Sequence, residues 1–207
     1  MLARMSLRDC KRARTRQALV EAATELFERN GYDETTIADI AAAADIGTRT
    51  FFGYFASKEE LLFPESDARV RASLDAIAAR GPDDGPAEVL LRALHTIGED
   101  SDDMGSRLAA LRLRLFRTVP AVRGRALQIQ MDAQREIARH LARAFPDRLD
   151  EVTAAALTGA FVGAVSAALQ VLLDDPQRVR DPQAVQAAVR QATDVALTPW
   201  LRAAREV

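Results

Sequence analysis

"TTIADIAAAADIGTRTFFGYFASKEEL", residues 35–61, decides how the chain is read. Ile37, Ile40, Ala41 and Ala44 repeat at helical spacing, and Thr36 with Asp39 three residues on is close to a capping box, so a short helix opens there. "DIG" at 45–47 breaks it, and Thr48 to Tyr54 forms a second short segment. Phe51 and Phe55 are four apart, so both can pack inward and set the angle of that segment. Thr48, Arg49 and Tyr54 then project outward with donors suited to base edges and phosphates. Thr36 and Lys58 stand at helix starts, where free backbone N–H groups favour an anion. Two short helices joined by a tight turn make a helix-turn-helix candidate.

Working outward, "TRQALVEAATELFERNGY" at 15–32 places Ala18, Ala22, Leu26 and Leu19, Ala23, Phe27 on one face of a first helix, which Asn30-Gly31 stops. Ser57 with Glu60 is a capping box of preferred residues, so a fourth helix is expected from there to about Arg80. Further helices are expected near 86–99, 104–117, 120–145, 149–173 and 182–204, with Pro120 and Pro182 where a first turn tolerates proline. "DDPQRVRDP" at 174–182 reads as a loop. The pattern predicts an all-α chain of about nine helices: an N-terminal three-helix helix-turn-helix domain at 1–56 and a C-terminal helical bundle at 57–207.

The chain has 207 residues, 48% hydrophobic and 28% charged, enough to bury a core, and a net charge of −2. The charge is uneven. Arg4, Arg8, Lys11, Arg12, Arg14 and Arg16 face one acid, Asp9, in the first sixteen residues, forming a basic arm. Such an arm either meets phosphate locally or is a solubilising terminus, and composition leaves both open. Cys10 is the only cysteine. That excludes an internal disulfide and fits a reducing cytoplasm. A redox role and an incidental thiol are both open for it. Residues 154–173 are long enough to span a bilayer, but Ala and Gly dominate them. Acids flank them without Lys/Arg bias, so the expectation is a helix buried on all sides, with no membrane.

No catalytic constellation is present in the C-terminal half, so no enzyme is expected. His95 with Glu99 and Glu136 with His140 are helix-surface pairs, and no metal or other cofactor is expected. Wound at 3.6 residues per turn, the 154–173 helix puts Ala156, Gly159, Gly163 and Ala167 on one face and Leu157, Phe161 and Leu172 on the other. In the last helix Val185, Val189, Ala192 and Ala196 form a stripe. Exposed apolar stripes in soluble chains mean association, so these two helices are expected to form a dimer interface.

From Thr15 to Leu62 the order of residues resembles the DNA-binding domain of the TetR family of transcriptional regulators. The likeness rests on Ala-Ala, Leu-Phe, Gly-Tyr, Thr-Thr, Ile-Ala, Phe and Ser-Lys-Glu in "AATELFERNGYDETTIADIAAAADI" and "TFFGYFASKEEL". The TFF-x-YF form is most similar to a subgroup with mycofactocin-type and acyl-chain-responsive regulators. The resemblance implies a cytoplasmic homodimer that reads a double-stranded DNA operator and binds a small effector. It implies that Thr36 caps at a phosphate, Thr48 and Arg49 face the major groove with Thr50 beside them, and Tyr54 and Lys58 contact backbone, with Arg14 and Arg16 of the arm adding charge. The family pattern is broken at Asp45 (usually the turn glycine), Gly47 (usually Ser), Phe52 (commonly Tyr) and Gly53 (often basic).

An effector pocket is expected between helices of the bundle, with Leu111, Arg112, Leu115, Phe116, Gln128, Met131, Thr158 and Phe161 as candidates. Their apolar bias points to a hydrophobic or acyl-type ligand, with Arg112 for an anionic head. The expected function is a ligand-responsive regulator, a repressor released from a pseudo-palindromic operator. The alternatives are a helical-bundle enzyme or carrier and a ligand-blind architectural dimer.

Overall fold

The computed structural model describes residues 7–64, 66–99, 107–173 and 182–203. Among them are α1 (Leu7–Asn30), α2 (Ile37–Ala43), α3 (Thr48–Phe51), a 3₁₀ turn (Glu59–Leu62), α4 (Ser66–Ala78), α5 (Pro86–Glu99), α6 (Arg107–Thr118), α7 (Pro120–Ala144), α8 (Glu151–Leu173) and α9 (Pro182–Ala203), with no strand. The fold is all-α, as the periodicity predicts. Pro86, Pro120 and Pro182 each occupy a first helical position, where the missing N–H costs nothing. The 174–181 loop lies outside the described residues.

Two helix starts differ from expectation. Helix α1 opens at Leu7, so residues 7–16 of the arm are its first turns. The helix expected from Ser57 is interrupted. Glu60 does accept from the Ala56 N–H at 2.7 Å, but only the 3₁₀ turn follows. Pro64 has no N–H and pushes Phe63 off helical geometry (φ −129°, ψ 48°), so α4 begins afresh at Ser66.

The chain forms two compact units. The first comprises residues 1–64 and 107–126, so it extends past the expected boundary at 56 and takes in α6 and the start of α7. Its core is Leu19, Ala23, Phe27, Ile40, Phe51, Phe55, Leu61 and Leu62, joined by Leu111, Leu115 and Val122. A Phe or Leu buried this fully contributes about 1.5–3 kcal/mol. Arg112 donates to the Leu62 carbonyl at 3.3 Å, and Arg125 and Arg107 pair with Glu60 and Glu28.

The second unit comprises 65–106 and 127–207, with α8 packed along α9, α4 on α5, and α5 on α9. Ile77, Leu90, Leu141, Leu157, Phe161 and Leu197 lie in its core. Asp150 accepts from the Thr153 N–H at 2.6 Å to start α8, which holds the Asp150 carboxyl below its usual range. Helix α8 is not buried on all sides in one chain. It is long and apolar enough to cross a membrane, yet only 22% of its Glu151–Leu172 stretch is buried.

Candidate nucleic-acid interface

The turn between α1 and α2 sets where α2 begins. Gly31 takes a φ of +91° and its N–H reaches Phe27 O at 3.2 Å, closing α1. Thr35 is fully buried and donates to the carbonyls of Gly31 (2.7 Å) and Leu26 (3.3 Å). Next to it Thr36 caps α2: it accepts from Asp39 N at 3.2 Å, while the Asp39 carboxylate accepts from Thr36 N and Oγ1. Those hydrogen bonds hold the Asp39 carboxyl below its usual range. The predicted capping box is therefore complete.

Helix α2 ends in a Schellman motif. The N–H groups of Asp45 and Ile46 reach the carbonyls of Ala42 (3.1 Å) and Ala41 (2.9 Å). Asp45 holds the left-handed conformation, φ +54°, that glycine would adopt without strain. Gly47 then precedes α3 with no side-chain cap, and a Cβ there would meet nothing within 4 Å.

Helix α3 is a single turn whose hydrogen bonds continue, tightened, to Phe55. Phe51 and Phe55 are buried with ring centroids 6.1 Å apart, and they seat the segment on the core. Thr48, Arg49 and Thr50 are exposed on the opposite side. Among the described residues Arg49 has no hydrogen-bond or ion-pair partner. Phe52 is 56% exposed and stacks edge-on against Phe51. Tyr54 is half-buried under the Arg12 guanidinium, 5.2 Å from its ring.

Arg14, Arg16 and Lys58 are placed differently from expectation. Arg16 donates to Tyr54 O (3.1 Å) and Pro64 O (3.4 Å) and lies 4.2 Å over the Phe55 ring. Lys58 is half-buried against the Tyr32 ring and donates to Tyr32 O (2.9 Å) and Thr35 O (3.1 Å). Both cations satisfy carbonyls that the irregular chain leaves without partners. Two of the three ammonium donors of Lys58 are thus occupied within the protein. Arg14 is exposed, but about 200° round α1 from Arg12, away from α3.

Sequence reading missed Arg12, which donates to Gly53 O at 3.2 Å. The i, i+4 spacing of Arg12 and Arg16 was the available signal. It also missed the Tyr32 hydroxyl, which donates to the Glu59 carboxylate. Burial first, then that bond and the Glu59 charge, raise the Tyr32 pKa. Burial raises the Glu59 carboxyl, but hydrogen bonds from Ser57 and Tyr32 outweigh it and the net shift is downward.

Residues 19–63 match the family described as bacterial regulatory proteins, tetR family. This segment is a TetR-family N-terminal domain. It is 30% identical to the HTH-type transcriptional regulator TcmR of Streptomyces glaucescens over 66% of this chain and 62% of TcmR. It is 28% identical to MftR of Mycobacterium tuberculosis, assigned to mycofactocin biosynthesis, over 64% of this chain and 67% of MftR. The match therefore spans less than two thirds of TcmR. In fold, the chain resembles the repressor FadR of Thermus thermophilus, solved with lauroyl-CoA, at a TM-score of 0.54 and 22% identity over 88% of this chain and 93% of FadR.

The TetR-family resemblance also implies a ligand pocket and a dimer face, and these candidates scatter. Leu111 and Leu115 are buried in the first unit's core, with Arg112 tied to Leu62 and Phe116 half-buried. Gln128 and Met131 are exposed, whereas Thr158 and Phe161 are buried in the second unit. Thr158 Oγ1 is buried without a hydrogen-bond partner.

Of the dimer-face candidates, Ala156, Gly163 and Ala167 are exposed and Gly159 half-exposed, and a Cβ on either glycine would meet nothing within 4 Å. Val185 and Val189 instead point inward, at 4% and 8% exposure, with Ala192 and Ala196 half-buried. Val195 of α9, and Val152 and Val171 of α8, are the exposed large apolar residues there. A shallow cleft of about 500 Å³ between α5 and α9 is lined by Arg92, His95, Arg190 and Asp194 among others. His140 Nδ1 contacts the Glu136 carbonyl oxygen at 2.9 Å, a backbone contact rather than a side-chain pair.

Proposed function

We propose that the chain is a DNA-binding transcriptional regulator, a repressor that a small hydrophobic effector releases from its operator. The supporting observation is the exposed Thr48-Arg49-Thr50 face, seated by two buried phenylalanines inside a matched TetR-family domain. Arg49 can reach guanine bidentately, and the threonines suit base edges and the thymine methyl. Thr36 and Tyr54 flank this face for phosphate contact, and Lys58 has one donor left for the same use.

Reading a pseudo-palindrome requires two heads about 34–36 Å apart. The exposed Ala156, Gly159, Gly163, Ala167 face of α8 supports a homodimer, because an apolar helix so little buried in one chain gains most from a second copy. The effector is proposed to enter the second unit's core beside Thr158 and Phe161, where an unpartnered hydroxyl sits among apolar side chains. An apolar or acyl-type ligand with one polar group fits that chemistry. Such a protein acts in the cytoplasm and by binding rather than catalysis.

Selection from a randomised duplex library with the purified protein tests this. The account expects an inverted-repeat consensus, and recovery of no enriched sequence would contradict it.

A further inference from the structure

We infer that the cleft between α5 and α9 binds a small zwitterion with an apolar side chain, of the apolar α-amino-acid class, at a site separate from the one proposed beside Thr158 and Phe161. The cleft has a volume of about 500 Å³, within the range of small-molecule pockets, and neither of those residues lines it. Its two helices pack against each other inside the second unit. Thr193 of α9 is fully buried at the cleft, and its hydroxyl is turned back to the carbonyls of Val189 (3.0 Å) and Arg190 (2.9 Å). That proton is used within α9, so Thr193 offers a ligand no donor. Leu91 and Leu94 of α5, half-buried and packed against the unit's core, complete an apolar floor.

The rim carries both signs of charge. Arg92 and His95 stand on α5, Arg190 and Asp194 on α9. Arg92 is already neutralised: it donates to the Asp84 carboxylate, which also accepts from the Gly81 N–H at 2.7 Å in the turn before α5. Arg190 and Asp194 are exposed and lie four residues apart, so they share one face of α9. Their order, cation first, is the less favourable one for a pair within a helix, and neither charged group has a hydrogen-bond or ion-pair partner among the described residues. A lone cation or anion would meet one charge of its own sign here. A zwitterion satisfies both: its carboxylate faces Arg190, with His95 of α5 as a second donor, and its ammonium faces Asp194. The apolar side chain then lies on Leu91 and Leu94.

The test is isothermal titration calorimetry of the full chain with phenylalanine, phenylpropionate and phenethylamine, the last two each lacking one of the charges. Phenylalanine should bind about fivefold more tightly than either, the upper end for an exposed ion pair. Arg190→Gln should weaken phenylalanine and phenylpropionate by a similar factor and leave phenethylamine as in wild type. Asp194→Asn should show the converse pattern, weakening phenylalanine and phenethylamine while phenylpropionate binds no less tightly. Both residues are exposed, so the substitutions leave the fold in place, which circular dichroism checks. Phenylalanine binding that neither substitution changes would put the ligand elsewhere and overturn the inference. So would phenylpropionate binding as tightly as phenylalanine, or no binding by any of the three. None of these results touches the reading of α3 as the DNA-binding face.

Discussion

The Lys58 ammonium donates to the Thr35 carbonyl at 3.1 Å, joining the start of the 3₁₀ turn to the residue that anchors the α1–α2 turn. A second bond goes to Tyr32 O at 2.9 Å. A residue whose family resemblance implies phosphate contact is therefore also a strut of the head. Lys58→Ala should destabilise the protein by about 1.5–3 kcal/mol, the range for hydrogen bonds to charged groups. Urea unfolding checks this, and a midpoint equal to wild type would contradict it.

Asp45 provides a case of opposite sign. Its φ of +54° closes the Schellman motif at a conformation that costs an L-residue about 1–2 kcal/mol. Asp45→Gly relieves that strain and should raise stability by up to about 1 kcal/mol, the gain being limited by the greater entropy the unfolded glycine chain loses on folding. Gly47→Ser has open space for its Cβ and should add a few tenths of a kcal/mol as an N-cap. Thermal unfolding distinguishes the two, and a lower melting temperature for Asp45→Gly would be inconsistent with the turn described.

Two carboxylates make the head acid-sensitive. Glu59 and Asp39 have folded pKa values below their ordinary 4.5 and 3.8. Their contribution is fully present above those values and is lost as pH falls through the depressed folded ones. Tyr32 titrates above its ordinary 10.0 when folded, so its contribution is present below pH 10 and is lost as pH rises beyond it. Tyr32→Phe should flatten the alkaline limb of stability against pH and leave a smaller acid loss. An unchanged alkaline limb would show that the Tyr32–Glu59 bond is not maintained in solution.

On α8, Gly163→Leu places bulk on an open face with nothing of its own chain within 4 Å of the added Cβ. Sedimentation should show a protomer of normal helicity that no longer pairs. Val185→Ala, by contrast, opens a cavity in the chain's own core and should cost stability by about 1–3 kcal/mol at any concentration. A normal dimer with Gly163→Leu would remove this face from the interface.

Much of this was legible in the sequence because the signals are local. Proline at first turns, the Thr36–Asp39 box and the Phe51–Phe55 spacing each act within a few residues, and each appears where expected. Pro64 was equally local, and it is why the helix from Ser57 fails. What stayed hidden depends on partners distant in sequence. Leu111 and Leu115 show an apolar face, but not that it fills the first unit's core. Arg16 and Lys58 bind backbone carbonyls, which leave no mark in composition. Val185 and Val189 have the same period whether their stripe faces the core or a second copy.

The most direct test of the central claim is the affinity of Arg49→Ala for the selected duplex and for a set of single-base variants of it. Arg49 is exposed and holds no other group among the described residues, so stability should stay within about 0.5 kcal/mol of wild type. Binding should weaken by about 1–3 kcal/mol, with preference relaxed at one position of each half-site. Wild-type affinity with an unaltered base preference would contradict the assignment of α3 as the reading helix.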